Sequence, residues 1–283
     1  MTTGNASRTP LAALLQERFG EAPDVPGGAQ PDVWHTLAGR GSVRAFADTA
    51  VPDALIDMLC ALALCAPSKS DLQQRDVIIV RDPGQRAKLL GALPDSQGWV
   101  TGAPALLIFC GNNARQRAHH ARHDLPFPND HLDAFFNASV DAGIALATCV
   151  VAAEAAGLGC CPISTIRDAI DDVSVILGLP DHVFPVAGLA LGYPAQAQSE
   201  RSSRLGLSAT VHIDQFDQAA QDDGVTAYDA RRAAQQPYAK QRDPDRFGHA
   251  PTYTWSLDKA RQYSVAQRTD FGAYIRRQGF KLD

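Results

Sequence analysis

A chain of 283 residues and 30.3 kDa is long enough for one large domain or one domain plus an extension, and its 45% hydrophobic content gives ample surface for a core. The balance of 26 Lys+Arg against 31 Asp+Glu gives a net charge of −5, which argues against nucleic-acid binding, because phosphate-backbone recognition needs a clustered basic excess. No run reaches the roughly 18 uncharged apolar residues of a membrane helix: Ala142–Ala153 is too short and runs into Glu154, and Met1–Ser7 lacks a basic segment followed by an apolar one.

These features lead us to expect neither a membrane nor a nucleic-acid partner, and a cytoplasmic protein. Cys60, Cys65, Cys110, Cys149, Cys160 and Cys161 lie mainly in apolar runs without CxxC spacing. They read as reduced, buried small hydrophobes in a bacterial-type cytoplasm.

In chain order, Met1–Pro31 is rich in Gly, Pro and Ala and reads as a flexible arm with one amphipathic piece, Leu11–Phe19. Asp32–Ala38 reads as a helix end closed by Gly39. Asp53–Ala66 carries Leu55, Met58, Leu59 and Leu62 at helical spacing, starts at Pro52-Asp53 and is stopped by Pro67. Asp76–Arg81 and Ala105–Cys110 read as strands, with a short amphipathic helix, Pro83–Leu93, between them. Arg115–Pro128, with three histidines, reads as an exposed loop or irregular helix.

Asp133–Ala156 is the longest predicted helix, apolar nearly all round and therefore expected to be buried centrally. Gly157-Leu158-Gly159 caps it and leads into a strand or loop at Cys160–Ile163. A helix over Ile166–Leu177 and a strand over Val183–Gly192 follow. Beyond Pro194 the chain turns polar, with Asp222–Ala239 and Leu257–Gln278 helical and few core residues to offer, so this tail is expected to pack on the main domain or on a second subunit. Strands separated by helices predict an α/β or α+β plan with a small mixed sheet.

Three loops carry candidate chemistry. Arg40, Ser42 and Arg44 place two guanidiniums and a hydroxyl within five residues, a set able to grip a phosphate by bidentate hydrogen bonds, and Arg201 and Arg204 form a second basic pair. Cys65–Gln73 follows a helix stop, and its Ser68, Ser70 and Asp71 are suited to the polar edge of a ring. Gly157–Thr165 places glycines after a helix rather than between strand and helix, the wrong order for a dinucleotide fingerprint. Its Pro162-Ile163-Ser164 segment can turn backbone N–H groups toward a flat cofactor. His119 and His123 share a helical face, but no carboxylate or cysteine completes a metal set, and no metal is expected.

Taken together, RGSVRAF at Arg40–Phe46, APSKSDLQ at Ala66–Gln73, GLGCCPIS at Gly157–Ser164 and LGYP at Leu191–Pro194 resemble the FMN-dependent nitroreductase family. The likeness runs over most of the chain from Asp32. The extension with Tyr228-Asp229 and Thr254-Trp255-Ser256 is most similar to the large oxygen-insensitive NADPH nitroreductase and flavin reductase branch.

The resemblance implies an α+β nitroreductase-like fold with a mainly antiparallel sheet and a helical C-terminal extension. It divides the chain into an arm (1–31), an FMN-binding core (32–215) and an extension (216–283). It implies a homodimer with FMN at the interface, and ping-pong transfer from NADPH or NADH to nitroaromatics, quinones or flavins. By position, Arg40, Gly41, Ser42 and Arg44 fall on the phosphate and ribityl chain, with Arg204 and Arg201 completing the phosphate grip. Ser68 and Ser70 meet the flavin's polar side and Gln97 the ribityl chain, while Pro162, Ile163 and Ser164 lie along the isoalloxazine, with the Ser164 N–H near N5. No side-chain acid, base or nucleophile is required, since the flavin carries the redox chemistry.

Four positions depart from the family pattern. Gly41 stands where a second basic residue is common, Asp71 replaces a frequent asparagine, and Ser164-Thr165 replaces a glycine pair. Basic residues are absent near Thr254-Trp255, which leaves Lys240, Arg242 and Arg246 as the nearby candidates for a 2′-phosphate and keeps both NADPH and NADH open. A specialised reaction on the same flavin, such as dehalogenation or a biosynthetic oxidation, and flavin storage without turnover also stay open.

Overall fold

The computed structural model describes residues 9–197 and 201–283; the first eight residues of the expected arm lie outside the described residues. The helices and strands in chain order are α1 (Leu11–Phe19), α2 (Asp32–Gly39), α3 (Asp53–Leu64), β1 (Arg75–Ile79), α4 (Pro83–Gly91), β2 (Ala105–Asn112), α5 (Ala114–Arg122), α6 (Leu132–Ala155), β3 (Gly159–Ile163), α7 (Ile170–Leu177), β4 (Val183–Gly192), α8 (Gln218–Gln235), α9 (Pro244–Phe247), α10 (Trp255–Tyr263) and α11 (Phe271–Arg277). They fall into two compact units. Residues 42–197 with 268–283 form a sheet unit, and residues 9–41 with 201–267 form a helical unit. This division is not linear along the chain: the last sixteen residues group with the sheet, and the N-terminal helices group with the segment after Arg201.

In the sheet unit the strand order is β1-β2-β4-β3, and every pairing is antiparallel, in keeping with the small, mainly antiparallel sheet that the resemblance implies. Both faces of the central strands are covered, which explains why β2 and β4 read as nearly unbroken apolar runs. Successive side chains of β2 point to opposite faces. Leu107 and Phe109 therefore join Ile56, Leu59, Cys149 and Leu189 on one face, whereas Leu106, Ile108 and Cys110 join Leu89, Ile166 and Val173 on the other. Asp82 caps α4 by accepting from the Gln85 N–H at 2.6 Å, with Pro83 in the first turn.

Two expectations about packing change. α6 is buried along one face only; Leu132, Phe136 and Val140, four residues apart, are 50%, 58% and 40% exposed. By length and composition alone α6 is long enough to cross a membrane, yet its alanine-rich face lies against β2 and α3. In α3 the buried residues are Ile56, Leu59 and Ala63, while Met58 and Leu62 face outward. A helix apolar all round does not reveal from its spacing which face the core takes.

The tail also differs. The single helix expected over Leu257–Gln278 is broken between α10 and α11, and α11 carries Tyr274 and Ile275 into an apolar cluster with Phe280, Ala138, Ile170 and Phe184. The Tyr274 hydroxyl shares a buried hydrogen bond with Ser174 at 2.6 Å. The polar His-bearing segment forms a regular helix, α5. In the helical unit, Leu11 and Leu14 of α1 pack on Ala38 of α2, so this part of the expected flexible arm is a seated helix. Tyr228 of α8 is buried edge-on against Trp255 of α10.

Candidate active site

In the sheet unit, three of the four motifs are stitched together by backbone hydrogen bonds. The Val43 N–H donates to Cys160 O at 3.1 Å, the Ala47 N–H to Tyr193 O at 2.8 Å and the Ala195 N–H to Ala45 O at 3.0 Å, with Phe46 and Pro194 bridged. The segment 42–47 thus runs alongside both β3 and the end of β4. Two glycines permit this approach. A Cβ at Gly159 would lie 2.6 Å from Val43 Cγ2, and one at Gly192 would lie 3.1 Å from Phe46 Cδ1. Partners 117, 146 and 150 positions apart in sequence cannot announce that contact by local pattern.

The stitching sets Arg44 at the mouth of a cavity of about 340 Å³ lined by Arg44, Ser96, Gln97, Trp99 and Cys161–Thr165. Its guanidinium lies 5.7 Å from the centre of the Trp99 ring, within cation–π range. The Trp99 indole N–H donates to Gln97 Oε1 at 3.1 Å, which leaves the amide N–H₂ of Gln97 as a donor group. Five expected site residues, Arg44, Gln97, Pro162, Ile163 and Ser164, therefore line one cavity. Arg268, unforeseen from sequence, reaches the same place: its Nη2 lies 3.5 Å from Ser164 Oγ and its Nε 2.6 Å from Asp168 Oδ1.

Ser68 and Ser70 lie elsewhere in this unit, on the loop between α3 and β1, and do not line that cavity. The loop is held in an uncommon conformation, with Ser70, Asp71 and Gln73 at φ of 50°, 55° and 51°. Its anchor is Asp141 of α6, 1% exposed, which accepts from the Lys69 N–H through one carboxylate oxygen and from the Gln74 N–H through the other, both at 3.0 Å. Arg75 lies 3.6 Å from the same carboxylate and donates to the carbonyls of Leu64 and Ala66 at the end of α3. Ser68 Oγ accepts from the Gln73 N–H, Arg115 donates to Gln73 O, and Asp71 accepts from the Gln73 amide.

In the helical unit, Arg40, Arg201 and Arg204 gather around Arg18 of α1. Arg18 is 6% exposed and donates to Arg40 O at 3.2 Å, and its own carbonyl accepts from the Arg204 N–H at 2.6 Å. Arg201 donates to Gly39 O at 3.0 Å and pairs with Glu17 at 3.1 Å. Burial, followed by the charges of Arg204, Arg40 and Arg201, lowers the Arg18 pKa to about 10. Elsewhere in the unit, Arg242 lies 3.6 Å from the buried Asp258, Arg246 stacks on Phe247, and Lys240 is exposed.

All six cysteines are free; Cys65 is exposed and Cys60 half-buried, which corrects the expectation of uniform burial. Burial pushes the thiols of Cys110 and Cys149 up to about 12, far from thiolate reactivity. Among the described residues no group of three His, Cys, Asp or Glu side chains forms a metal-ligand set.

Comparison with known proteins matches residues 37–193 to the nitroreductase family and residues 202–283 to the nitroreductase family, C-terminal domain. An FMN reductase [NAD(P)H] of Bacillus subtilis is 31% identical over 255 residues, covering 89% of this chain and 99% of that protein. An oxygen-insensitive NADPH nitroreductase of Salmonella typhimurium is 33% identical over 183 residues, covering 64% and 72%. Among solved structures, Bacillus megaterium NfrA2 superposes with a TM-score of 0.79 at 30% identity over 90% of this chain and all of that one. The NADPH:FMN oxidoreductase from Vibrio harveyi complexed with NAD+ gives a TM-score of 0.74 at 26% identity over 88% and 98%.

Proposed function

The chain belongs to the nitroreductase family, and from that premise we propose that it is an FMN-dependent oxidoreductase passing reducing equivalents from NADPH or NADH to nitroaromatics, quinones or flavins. The observation that carries this reading is the convergence of Arg44, Gln97 and Pro162–Thr165 on one cavity, held by backbone bonds between motifs far apart in sequence. The donor set fits the cofactor. A guanidinium, an amide and hydroxyls suit the carbonyl-rich ring edge and ribityl chain, and clustered guanidiniums suit the phosphate.

Bound FMN supplies the hydride chemistry; the chain supplies grip, orientation and fixed donors. Arg44, steadied by Trp99, and Gln97 bind the ribityl and phosphate end, with Ser42 and the Arg40-Gly41 turn before it. Pro162 and Ile163, held in strand β3, and Ser164 just beyond its end would hold the flavin ring. Arg201 and Arg204 add charge for the phosphate, and Ser68 and Ser70 offer hydroxyls on a loop that Asp141 fixes. No residue of the chain takes or gives a proton in this scheme.

A homodimer completes the proposal. The outward stripe of Leu132, Phe136 and Val140 on α6 and the pair Met58 and Leu62 on α3 expose apolar surface of the kind a partner covers. Because Ser68 and Ser70 do not line the cavity of their own chain, a second copy is their route to a flavin. Six free thiols suit a reducing compartment, the cytoplasm.

The test is an anaerobic titration of the purified protein. Flavin absorbance should bleach with NADPH or NADH and return on adding a nitroarene or quinone, with parallel double-reciprocal plots as expected of a ping-pong sequence. A protein whose bound flavin neither nicotinamide reduces is not this enzyme.

A further inference from the structure

Arg18 precedes the first residue, 37, of the segment matched to the family, so nothing in that match assigns it a role. The structure nevertheless builds it into the arginine cluster from two directions. Its guanidinium donates to Arg40 O, and its carbonyl receives the Arg204 N–H. Arg231 reinforces the arrangement by donating to the carbonyls of Phe19 and Arg204. Helix α1 is itself held by Leu11 and Leu14 against Ala38. A long cationic side chain is thus almost fully buried beside three others.

Like charges packed together raise the energy of a fold unless an anion answers them. Among the described residues, Glu17 lies near Arg18 and is ion-paired with Arg201, and Asp24 lines the cavity that Arg18 and Arg204 share. Arg18, Arg201 and Arg204 bring three guanidiniums to one place against the carboxylates of Glu17 and Asp24, chemistry that a dianionic phosphate can use. Gly41, beside Arg40, adds no side chain to the set.

We infer that Arg18 is a fourth cation of the phosphate-binding cluster, brought in by helix α1, and that it makes the protein select a flavin carrying a 5′-phosphate over one without it. The inference rests on the reading that FMN is the cofactor. Arg18 acts both by its charge and by holding the Arg40 and Arg204 backbones, so it is a positioning as well as a binding residue. The same chemistry would suit a nucleotide 2′-phosphate, and the experiment separates the two sources.

Binding of FMN and of riboflavin to the full-length protein, freed of flavin, is followed by flavin fluorescence at low and high salt, for the wild type, Arg18→Gln and Glu17→Gln. Loss of one charge-assisted contact predicts that Arg18→Gln weakens FMN about tenfold or more, flattens its salt dependence and leaves riboflavin within about twofold. Glu17→Gln, at a half-exposed position that tolerates the change, removes the opposing carboxylate and should tighten FMN about threefold with riboflavin unchanged.

Equal loss of both flavins in Arg18→Gln would mark mere damage to α1 and overturn the inference. So would an unchanged FMN dissociation constant in both variants, or a change confined to the KM for NADPH. A wild type that binds FMN and riboflavin equally would instead overturn the FMN reading itself, whereas wild-type selectivity that survives Arg18→Gln overturns only the role of Arg18.

Discussion

Replacing Asp141 by asparagine should destabilise the protein severely without abolishing the fold. Asp141 lies under the Ser68–Gln74 loop, with each carboxylate oxygen accepting one backbone N–H at 3.0 Å and Arg75 3.6 Å away. Asparagine keeps one acceptor oxygen and turns its amide N–H₂ toward the other N–H, so one charge-assisted bond worth about 1.5–3 kcal/mol is lost. Arg75, its side chain 4% exposed, is left buried with a diminished counter-charge, which brings the expected cost to about 3–5 kcal/mol. The loop also holds three non-glycine residues at positive φ, an uncommon conformation that the Asp141 anchor keeps in place.

Urea unfolding followed by circular dichroism reads the loss as a fall in midpoint at unchanged slope. Against a typical domain stability of about 5–15 kcal/mol, the variant should remain folded in water. Flavin affinity should fall with stability, because Ser68 and Ser70 lose their fixed positions. The double variant Asp141→Leu with Arg75→Met should recover part of the stability but not all, since the Lys69 and Gln74 N–H groups stay unanswered. A change below about 1 kcal/mol in Asp141→Asn would refute the reasoning, because it would mean the carboxylate is dispensable to the loop.

Arg44→Ala should weaken FMN about ten- to hundredfold, the equivalent of one charge-assisted contact, and full flavin occupancy on gel filtration at low concentration would contradict that role. Gly159→Ala places a methyl against Val43 and should lower stability by about 1–3 kcal/mol and shed flavin, with Val43→Gly in the same chain, which removes the Val43 Cβ that the new methyl would meet at 2.7 Å, recovering part of both; an unaltered single variant would show that the close approach is not required. Under native conditions a thiol reagent should label Cys65 first and spare Cys110 and Cys149 until unfolding, and rapid native labelling of Cys149 would contradict its burial. His182, whose pKa is lowered by burial and then by the charge of Arg117, stabilises the fold fully above the free imidazole value of about 6.5 and loses that contribution as pH falls through its depressed folded value. His182→Gln should flatten that part of the pH–stability curve, and superimposable curves would rule it out.

Much of this could be read along the chain, and the gaps have physical causes. Strands β2 and β4 and helix α6 are long, apolar and bounded by turn signals, so their existence was legible even where their burial was not. Helices α3 and α6 carry apolar residues around most of their circumference, and only packing decides that Met58, Leu62, Phe136 and Val140 remain outside. The four motifs were visible as local clusters of Arg, Ser, Gly and Pro, and Arg44, Gln97 and Pro162–Ser164 do meet at a cavity. The residues that hold them were not visible. Asp141 is 72 and 67 positions from the two N–H groups it accepts, and Arg268 is 104 from Ser164. Arg18 stands in a stretch rich in Gly, Pro and Ala, where an amphipathic turn gives no sign of an arginine cluster built around residues 201–204.

The most direct measurement is the amount and identity of flavin in the purified protein, read from absorbance and mass after mild unfolding. One non-covalently held FMN per chain is the predicted result. A colourless protein that takes up neither FMN nor its reduced form when supplied in excess would contradict it.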